Sequence, residues 1–227
     1  MQKLPSCLCW RLMSALRERK KAALRATIVR SAVELFVQRG YDSVGMEEIA
    51  YASMCSRSTL NRYFGTKEDV LFPAVPEVIE GLRHALDSMA AADDRWTAAR
   101  QAVTTQLGQF FENFEPDLRT TIMRLWFTEP APRRRYLEIA HEWEEILKAF
   151  FAAGLPDDPA THLQTQVLAS AMVSALRAVL HAAIETGDDI SNLADAAFGM
   201  LETGLPTQPK LARRRRTPVR NNSRSIP

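Results

Sequence analysis

Apolar residues recur every three or four positions along most of the chain, which is the spacing of amphipathic helices. A first helix is predicted over about residues 20–39. Its stripe contains Leu24, Ile28 and Phe36, and Gly40 can end it. No convincing strand pattern interrupts this spacing. The sequence therefore predicts an all-α fold of about nine helices.

Eight further helices are predicted, and prolines, glycines and acidic pairs mark many of their ends. Their approximate bounds are residues 47–52, 57–64, 67–91, 96–114, 118–129, 133–153, 159–186 and 192–203, the last capped by Ser191. Pro73 and Pro76 fall inside the fourth of them. Because an interior proline costs about 3 kcal/mol, we expect a kink there, or a break near residues 72–75 with helix resuming by Glu77.

Residues 44–67 predict a short helix, a tight turn and a second short helix whose N-cap is Ser56. Leu60 and Phe64 lie four residues apart and share the inward face of that second helix. The opposite face is polar and contains Arg57, Ser58, Thr59, Asn61 and Arg62.

These polar side chains suit the reading of base edges. Arginine pairs with guanine, asparagine pairs with adenine, and threonine contacts the thymine methyl group. A helix-turn-helix protein places such short donors, at the start of its second helix, in the major groove. The pattern therefore indicates a DNA-reading helix, with a three-helix module that has no role on DNA as the alternative.

Several motifs follow one another over about residues 24–71. They are Leu35-Phe36, Gly40-Tyr41, Ile49-Ala50, Ser56-Arg57-Ser58-Thr59-Leu60, Tyr63-Phe64 and Thr66-Lys67-Glu68. In this order they resemble the DNA-binding head of TetR-type transcriptional repressors. The resemblance implies that Thr59 and Tyr63 touch DNA and that Lys67 meets a phosphate from the start of the fourth helix.

Three positions depart from the family pattern. Asn61 stands where an aromatic residue is usual, which can shift base preference. Gly45 replaces the common Ser or Thr cap of the second helix, although Glu48 can still complete the cap from three residues on. Met54 replaces the usual turn glycine, and a left-handed backbone there would cost about 1 kcal/mol or more.

Charge is unevenly distributed along the 227 residues. Residues 1–67 carry +7, residues 68–205 carry −12, and residues 206–227 carry +7. A basic head on an acidic body suits a protein that places one end on a polyanion. A basic arm before the first helix can reach the DNA backbone or the minor groove, or it is simply a solvated helix start. The expected DNA contacts are Ser56, Arg57, Ser58, Thr59, Asn61, Arg62, Tyr63, Lys67, Arg17, Lys20 and Lys21.

The second half is expected to sense a ligand, because the resemblance implies a pocket inside a helical second domain. The ligand would be small and apolar or amphipathic, and resemblance to actinobacterial members suggests a lipid-like molecule. The candidate ligand contacts are Phe110, Met123, Trp126, Phe127, Trp143 and Arg177. The aromatic and sulfur side chains could equally be plain core. Arg177 could equally be exposed or held in a structural salt bridge.

The resemblance also implies a homodimer that pairs through the last two long helices, residues 163–184 and 193–201. Small residues would allow two helices to approach closely there, and they are Ala171, Ala175, Ala178 and Ala182. The alternative is that these alanines pack within one subunit. A dimer would present two reading helices to a palindromic operator in double-stranded DNA.

The remaining features point to a cytoplasmic protein without a cofactor. Cys7, Cys9 and Cys55 do not form a disulfide framework, which suggests a reducing compartment. No run of 18 apolar residues and no secretory signal is visible, so no membrane span is expected. Residues 141–145, HEWEE, lack the second histidine of a zinc protease helix, and no enzyme motif is found.

Four segments are predicted: a disordered extension at 1–16, a helix-turn-helix head at 17–66, a helical body at 67–205 and a disordered basic tail at 206–227. Translation is expected to begin at Met13. The leading function is a ligand-responsive, dimeric transcription repressor. The alternatives are a DNA-organising protein that binds through its basic termini, and a small-molecule binding protein or enzyme with a vestigial head.

Overall fold

A computed structural model describes the backbone of residues 6–204 and the side chains of residues 16–204. These residues form nine α-helices and one 3-10 turn, with no strand among them. The helices are α1 (Ser6–Arg39), α2 (Met46–Ala52), α3 (Arg57–Tyr63), α4 (Val75–Ser88), α5 (Arg95–Glu112), α6 (Pro116–Thr128), α7 (Pro130–Ala152), α8 (Pro159–Thr186) and α9 (Ile190–Thr203). The predicted all-α fold is confirmed.

Helices α1, α2 and α3 pack around one small core and form the head. Ile28, Ile49 and Leu60, one from each helix, are completely buried there, and Phe64 closes the core just after α3. Burying a side chain of this size contributes about 1.5–3 kcal/mol. Leu60 and Phe64 therefore face inward, as their spacing predicted.

Helix α1 begins much earlier than its predicted start near residue 20. Its backbone is helical from Ser6, so the prediction of a disordered extension is wrong for residues 6–16. No glycine or proline occurs between Ser6 and Arg39, and Ala, Leu, Arg and Lys dominate. Nothing in that stretch therefore stops helix propagation. Residues 1–5 and the predicted disordered tail at 206–227 lie outside the described residues.

The head joins the body through a linker, residues 66–74, and not through a helix that starts at Lys67 as predicted. The Thr66 hydroxyl oxygen accepts a hydrogen bond from the Asp69 backbone N–H (3.2 Å), and the Asp69 carboxylate accepts one from the Thr66 backbone N–H (3.0 Å). This reciprocal pair closes the turn that leads into the 3-10 turn, Asp69–Leu71. Helix α4 starts only at Val75, so the break expected near residues 72–75 is confirmed.

Prolines and caps set the other helix ends. Pro76, Pro130 and Pro132 all lie in the first turn of a helix, where their missing N–H groups are not needed. The predicted cap of α9 is wrong, since Asp189 takes that role instead of Ser191. Its carboxylate accepts hydrogen bonds from the backbone N–H groups of Ser191 (2.9 Å) and Asn192 (3.2 Å).

Helices α4 to α9 form the body, in which α8 packs mainly against α7 and α9. By length and composition alone, α8 could cross a membrane, which the sequence-based expectation did not anticipate. Core helices meet the same two criteria. In this fold α8 buries Ala169, Met172 and Leu176 inside the body, and it leaves a second apolar stripe exposed.

Met54 generates the first testable prediction. It is the one non-glycine residue with positive φ (50°) among those described, and its side chain is 93% exposed. A left-handed backbone costs an L-residue about 1–2 kcal/mol, while glycine loses part of that gain through its greater freedom in the unfolded chain. We expect Met54→Gly to raise the free energy of unfolding by up to about 1 kcal/mol in urea denaturation.

The matched control is Met54→Ala, which removes the exposed side chain but keeps the strained backbone. It should leave the free energy of unfolding near the wild-type value. Equal stabilisation by both substitutions would contradict the strain argument.

Candidate nucleic-acid interface and the apolar cavity

The start of α3 is fixed by Ser56. Its hydroxyl oxygen accepts a hydrogen bond from the Thr59 backbone N–H (3.1 Å), which confirms the predicted N-cap. The same hydroxyl lies 2.8 Å from the Thr59 hydroxyl and 3.0 Å from that of Ser58. These contacts order the first turn of α3, which is the turn expected to reach base edges.

The predicted polar residues of α3 lie on one surface, which we call the reading face. Ser56, Ser58, Asn61 and Arg62 are exposed, while Arg57 and Thr59 are half-buried. The guanidinium of Arg62 lies over the ring of Tyr63, 5.5 Å from its centroid. Leu60 is completely buried beneath this surface. The helix is therefore oriented so that its polar side is free to meet another molecule.

Two large residues beside the reading face were not singled out as DNA contacts. Tyr51, near the end of α2, is 87% exposed, and Met54 follows it in the turn. Tyr51 faces outward because Ile49 and Ala50 occupy the buried side of α2. The sequence offered one signal for this exposure, because Tyr51 directly follows the inward Ile49-Ala50 pair on the predicted helix.

Lys67 is held at the edge of the head rather than projecting from a helix start. Its ammonium donates a hydrogen bond to the Tyr41 carbonyl oxygen (2.8 Å) and lies 4.1 Å from the centroid of the Tyr41 ring. Two further N–H donors of the ammonium remain for other partners. Tyr41 itself is buried and donates to Glu68 (2.8 Å); burial first, and then this carboxylate, raises the pKa of its hydroxyl.

The predicted basic arm is part of α1. Arg17, Lys20 and Lys21 are all exposed on this helix, and Lys21 pairs with Glu18 at 2.8 Å. A helix carries these charges as a rigid row, so they would move with the head as one unit.

Ion pairs cross from the head to the body. Arg25 of α1 lies 3.1 Å from Glu77 of α4, and Arg30 of α1 pairs with Glu115 and Asp117 at the start of α6. All five side chains are partly exposed, so each pair contributes only about 0–1 kcal/mol.

The body contains an apolar cavity of about 80 Å³ between α4, α5, α6, α7 and α8. Three of the predicted ligand contacts, Phe110, Trp126 and Trp143, line it. The lining also contains Phe72, Val75, Val78, Leu107, Phe111, Tyr136, Ile139, Ala140, Val173, Leu176 and Leu180. Burial raises the pKa of the Tyr136 hydroxyl to about 12, so this group stays protonated near neutral pH.

The other three predicted ligand contacts do not line this cavity. Met123 is buried but faces a separate groove beside the α8–α9 turn. Phe127 stacks on His181 (4.1 Å between ring centroids). Arg177 is exposed on α8. An apolar stripe shows that a residue faces inward, but it does not show which gap in the core that residue lines.

Trp126 connects the cavity to the linker. Its indole N–H donates a hydrogen bond to the Leu71 carbonyl oxygen (3.1 Å), at the end of the 3-10 turn. Phe72, the next residue, stacks on the indole with 5.0 Å between ring centroids and also lines the cavity. The cavity and the linker therefore share contacts with the Trp126 indole.

Comparison with known proteins identifies the family. The family model for bacterial regulatory proteins of the tetR family matches residues 28–74, and the model for the MftR C-terminal domain matches residues 93–206. This chain belongs to the TetR family. The two matched segments correspond to the head and to most of the body.

Individual relatives agree with the family assignment. TcmR, an HTH-type transcriptional regulator of Streptomyces glaucescens, is 30% identical over 142 residues, which is 61% of this chain and 63% of TcmR, so the match spans less than two thirds of that relative. MftR of Mycobacterium tuberculosis, named for mycofactocin biosynthesis, is 27% identical over 77% of this chain and 87% of its own length. A solved TetR-family structure from Syntrophomonas wolfei has the same fold, with a TM-score of 0.57 and 15% identity over 82% of this chain and 97% of its own.

Lys67 provides a test of phosphate contact in this TetR-family protein. We expect Lys67→Ala to weaken binding to every duplex alike and to lower the slope of log affinity against log salt by about one, because one phosphate contact is lost. The measurement is equilibrium binding at several salt concentrations.

The matched control is Lys148→Ala, which removes the same charge from α7 in the body and should leave the slope unchanged. If Lys67→Ala altered the preference at one base pair and left the slope intact, the phosphate assignment would be wrong.

Proposed function

We propose that this protein is a homodimeric transcriptional repressor that acts in the cytoplasm and binds a palindromic operator. A small apolar or amphipathic ligand would enter the body and release the DNA. The observation that carries the proposal is the bond between Trp126 and Leu71. It places a wall of the apolar cavity in direct contact with the linker that holds the head.

The case for operator binding rests on the reading face. Arg57, Asn61 and Arg62 offer donors for base edges, and Lys67 and the basic row on α1 offer charges for phosphates. The head is basic and the body acidic, which favours approach to DNA by the head.

The case for a dimer rests on the exposed apolar stripe of α8 and α9. Leu163, Val167 and Met200 are 67%, 56% and 49% exposed, and Ala178 is also exposed. Contiguous exposed apolar residues mark sites of association. A two-fold pair would place two α3 helices about 34–36 Å apart, or a larger multiple, which suits a pseudo-palindrome.

The case for an apolar ligand rests on the lining of the cavity. Its volume of about 80 Å³ is below that of a cavity of about 150 Å³ that admits benzene. A ligand larger than benzene must therefore displace lining side chains. Phe72 and Trp126 are the lining residues whose displacement would move the linker.

The decisive experiment is selection of bound duplexes from a random pool, followed by affinity measurement on the selected sequence. We expect a palindromic site bound at least about 10³-fold more tightly than a scrambled duplex at physiological salt. Equal affinity for any duplex would favour a DNA-organising protein instead. Ligand binding without DNA binding would favour a vestigial head.

Val167 tests the dimer. Val167→Lys places a charge in the centre of the exposed stripe of both subunits, so we expect a monomer in sedimentation analysis and a loss of affinity for the palindrome. Val37→Lys makes the same change at an exposed position of α1 (65%) and should leave the dimer intact. A dimer that survives Val167→Lys would place the interface elsewhere.

Ala140 tests the cavity. Ala140→Leu adds three carbons to its lining and should fill most of the free volume, so DNA affinity should persist while binding of decanol and decanoate, followed by tryptophan fluorescence, weakens about tenfold or more. Ala153→Leu, at the exposed end of α7, is the matched control. Unchanged probe binding in Ala140→Leu would show that the ligand site is not this cavity.

A further inference from the structure

Two adjacent glutamates in the first turn of α2 have different surroundings. Glu48 accepts a hydrogen bond from the Gly45 backbone N–H (2.8 Å) and pairs with Arg39 (2.5 Å), so it is committed to capping α2. Glu47 is 77% exposed, and its carboxylate faces the Nε of Arg57 at 3.5 Å. An acidic side chain therefore stands beside the reading face, in contact with one of its base-reading candidates.

The guanidinium of Arg57 is only partly satisfied by this contact. Its Nε edge faces Glu47, while Nη1 is shielded from solvent and has no hydrogen-bond partner among the described residues. A shielded donor without an acceptor is unfavourable. The side chain as a whole is 41% exposed. The free protein thus holds the Nε edge of Arg57 and shields Nη1, so Nη2, which is not among the shielded atoms, keeps its donors for an outside acceptor.

Guanine supplies acceptors for such donors. Its O6 and N7 atoms are the acceptors that arginine contacts in the major groove. A phosphate offers acceptors as well, but the carboxylate of Glu47 repels the backbone of DNA and attracts the guanidinium away from it. The local charges therefore favour a base over a phosphate as the partner of Arg57.

We propose that Glu47 is a positioning residue that sets the base selectivity of Arg57. It holds the Nε edge, so that the donors of Nη2 are directed to a guanine, and it makes contact with backbone phosphates unfavourable. This inference rests on the proposed function, because it requires α3 to read an operator. It assigns to α2 a part in selectivity through a residue that contacts no base.

The test compares four variants on a selected operator and on a scrambled duplex: Glu47→Gln, Arg57→Ala, the double variant and Asp42→Asn. Asp42 is an exposed acidic residue of the head outside α2 and α3, so Asp42→Asn removes the same charge without touching Arg57. Base preferences at every position are measured by selection, and affinities by equilibrium binding. Glu47 is exposed, and matching thermal melts would verify that each variant is folded.

We expect Glu47→Gln to lower the ratio of operator to scrambled affinity by about three- to fivefold, the range for a partly exposed ion pair. This decrease in the ratio should come mainly from tighter binding to the scrambled duplex. Glu47→Gln should relax the same base position as Arg57→Ala, and the double variant should be no less selective than Arg57→Ala alone. Asp42→Asn should relax no position.

Three results would overturn the inference. If Glu47→Gln raised the affinity for both duplexes equally, as expected for Asp42→Asn, Glu47 would be an ordinary surface charge. Relaxation of a different base position would make Glu47 a base contact in its own right. An unchanged ratio would show that the contact with Arg57 has no effect on DNA. In all three, the preference of the wild-type protein for its operator would survive; a wild-type protein without any preference would overturn the proposed function as well.

Discussion

The hydrogen bond from the Trp126 indole to the Leu71 carbonyl is a polar contact between the body and the linker. It is buried, and Phe72 stacks on the same indole. Breaking it would leave a donor and an acceptor without water, a penalty of about 1–3 kcal/mol for each buried group. The ion pairs between α1 and the body are partly exposed and weaker. The buried contact is therefore more costly to break than each of the surface pairs.

Under the proposed function, the linker is the route from the cavity to the reading face. Glu68 alone separates the 3-10 turn from Lys67, whose ammonium donates to the Tyr41 carbonyl, and Tyr41 is a buried core residue. Arg135 of α7 adds a contact to Asp69 at 3.5 Å. Trp126 thus has a short covalent and hydrogen-bonded path to the head through the linker.

The sequence was sufficient for features that depend on local chemistry. The N-cap at Ser56, the inward Leu60 and Phe64, and the late start of α4 after Pro73 each follow from the character of a few neighbouring residues. The 3-10 turn was missed because Thr66, Glu68 and Asp69 have the residue types of a helix start, whereas the Thr66–Asp69 hydrogen bonds close only a short turn. Only three of the six predicted ligand contacts line the cavity. The cavity lies where five helices meet, and periodicity describes one helix at a time.

The missed lining residue Tyr136 changes what the cavity can recognise. Its hydroxyl and the indole N–H of Trp143 are the polar side-chain groups of the lining that remain once the indole N–H of Trp126 is engaged with Leu71. Both can donate. Arg177, although exposed, lowers the pKa of the Tyr136 hydroxyl, but burial dominates and keeps it near 12, so the hydroxyl stays a neutral donor. The lining is otherwise apolar and favours an apolar ligand body, and affinity for such a ligand would not depend on titration of Tyr136 near neutral pH.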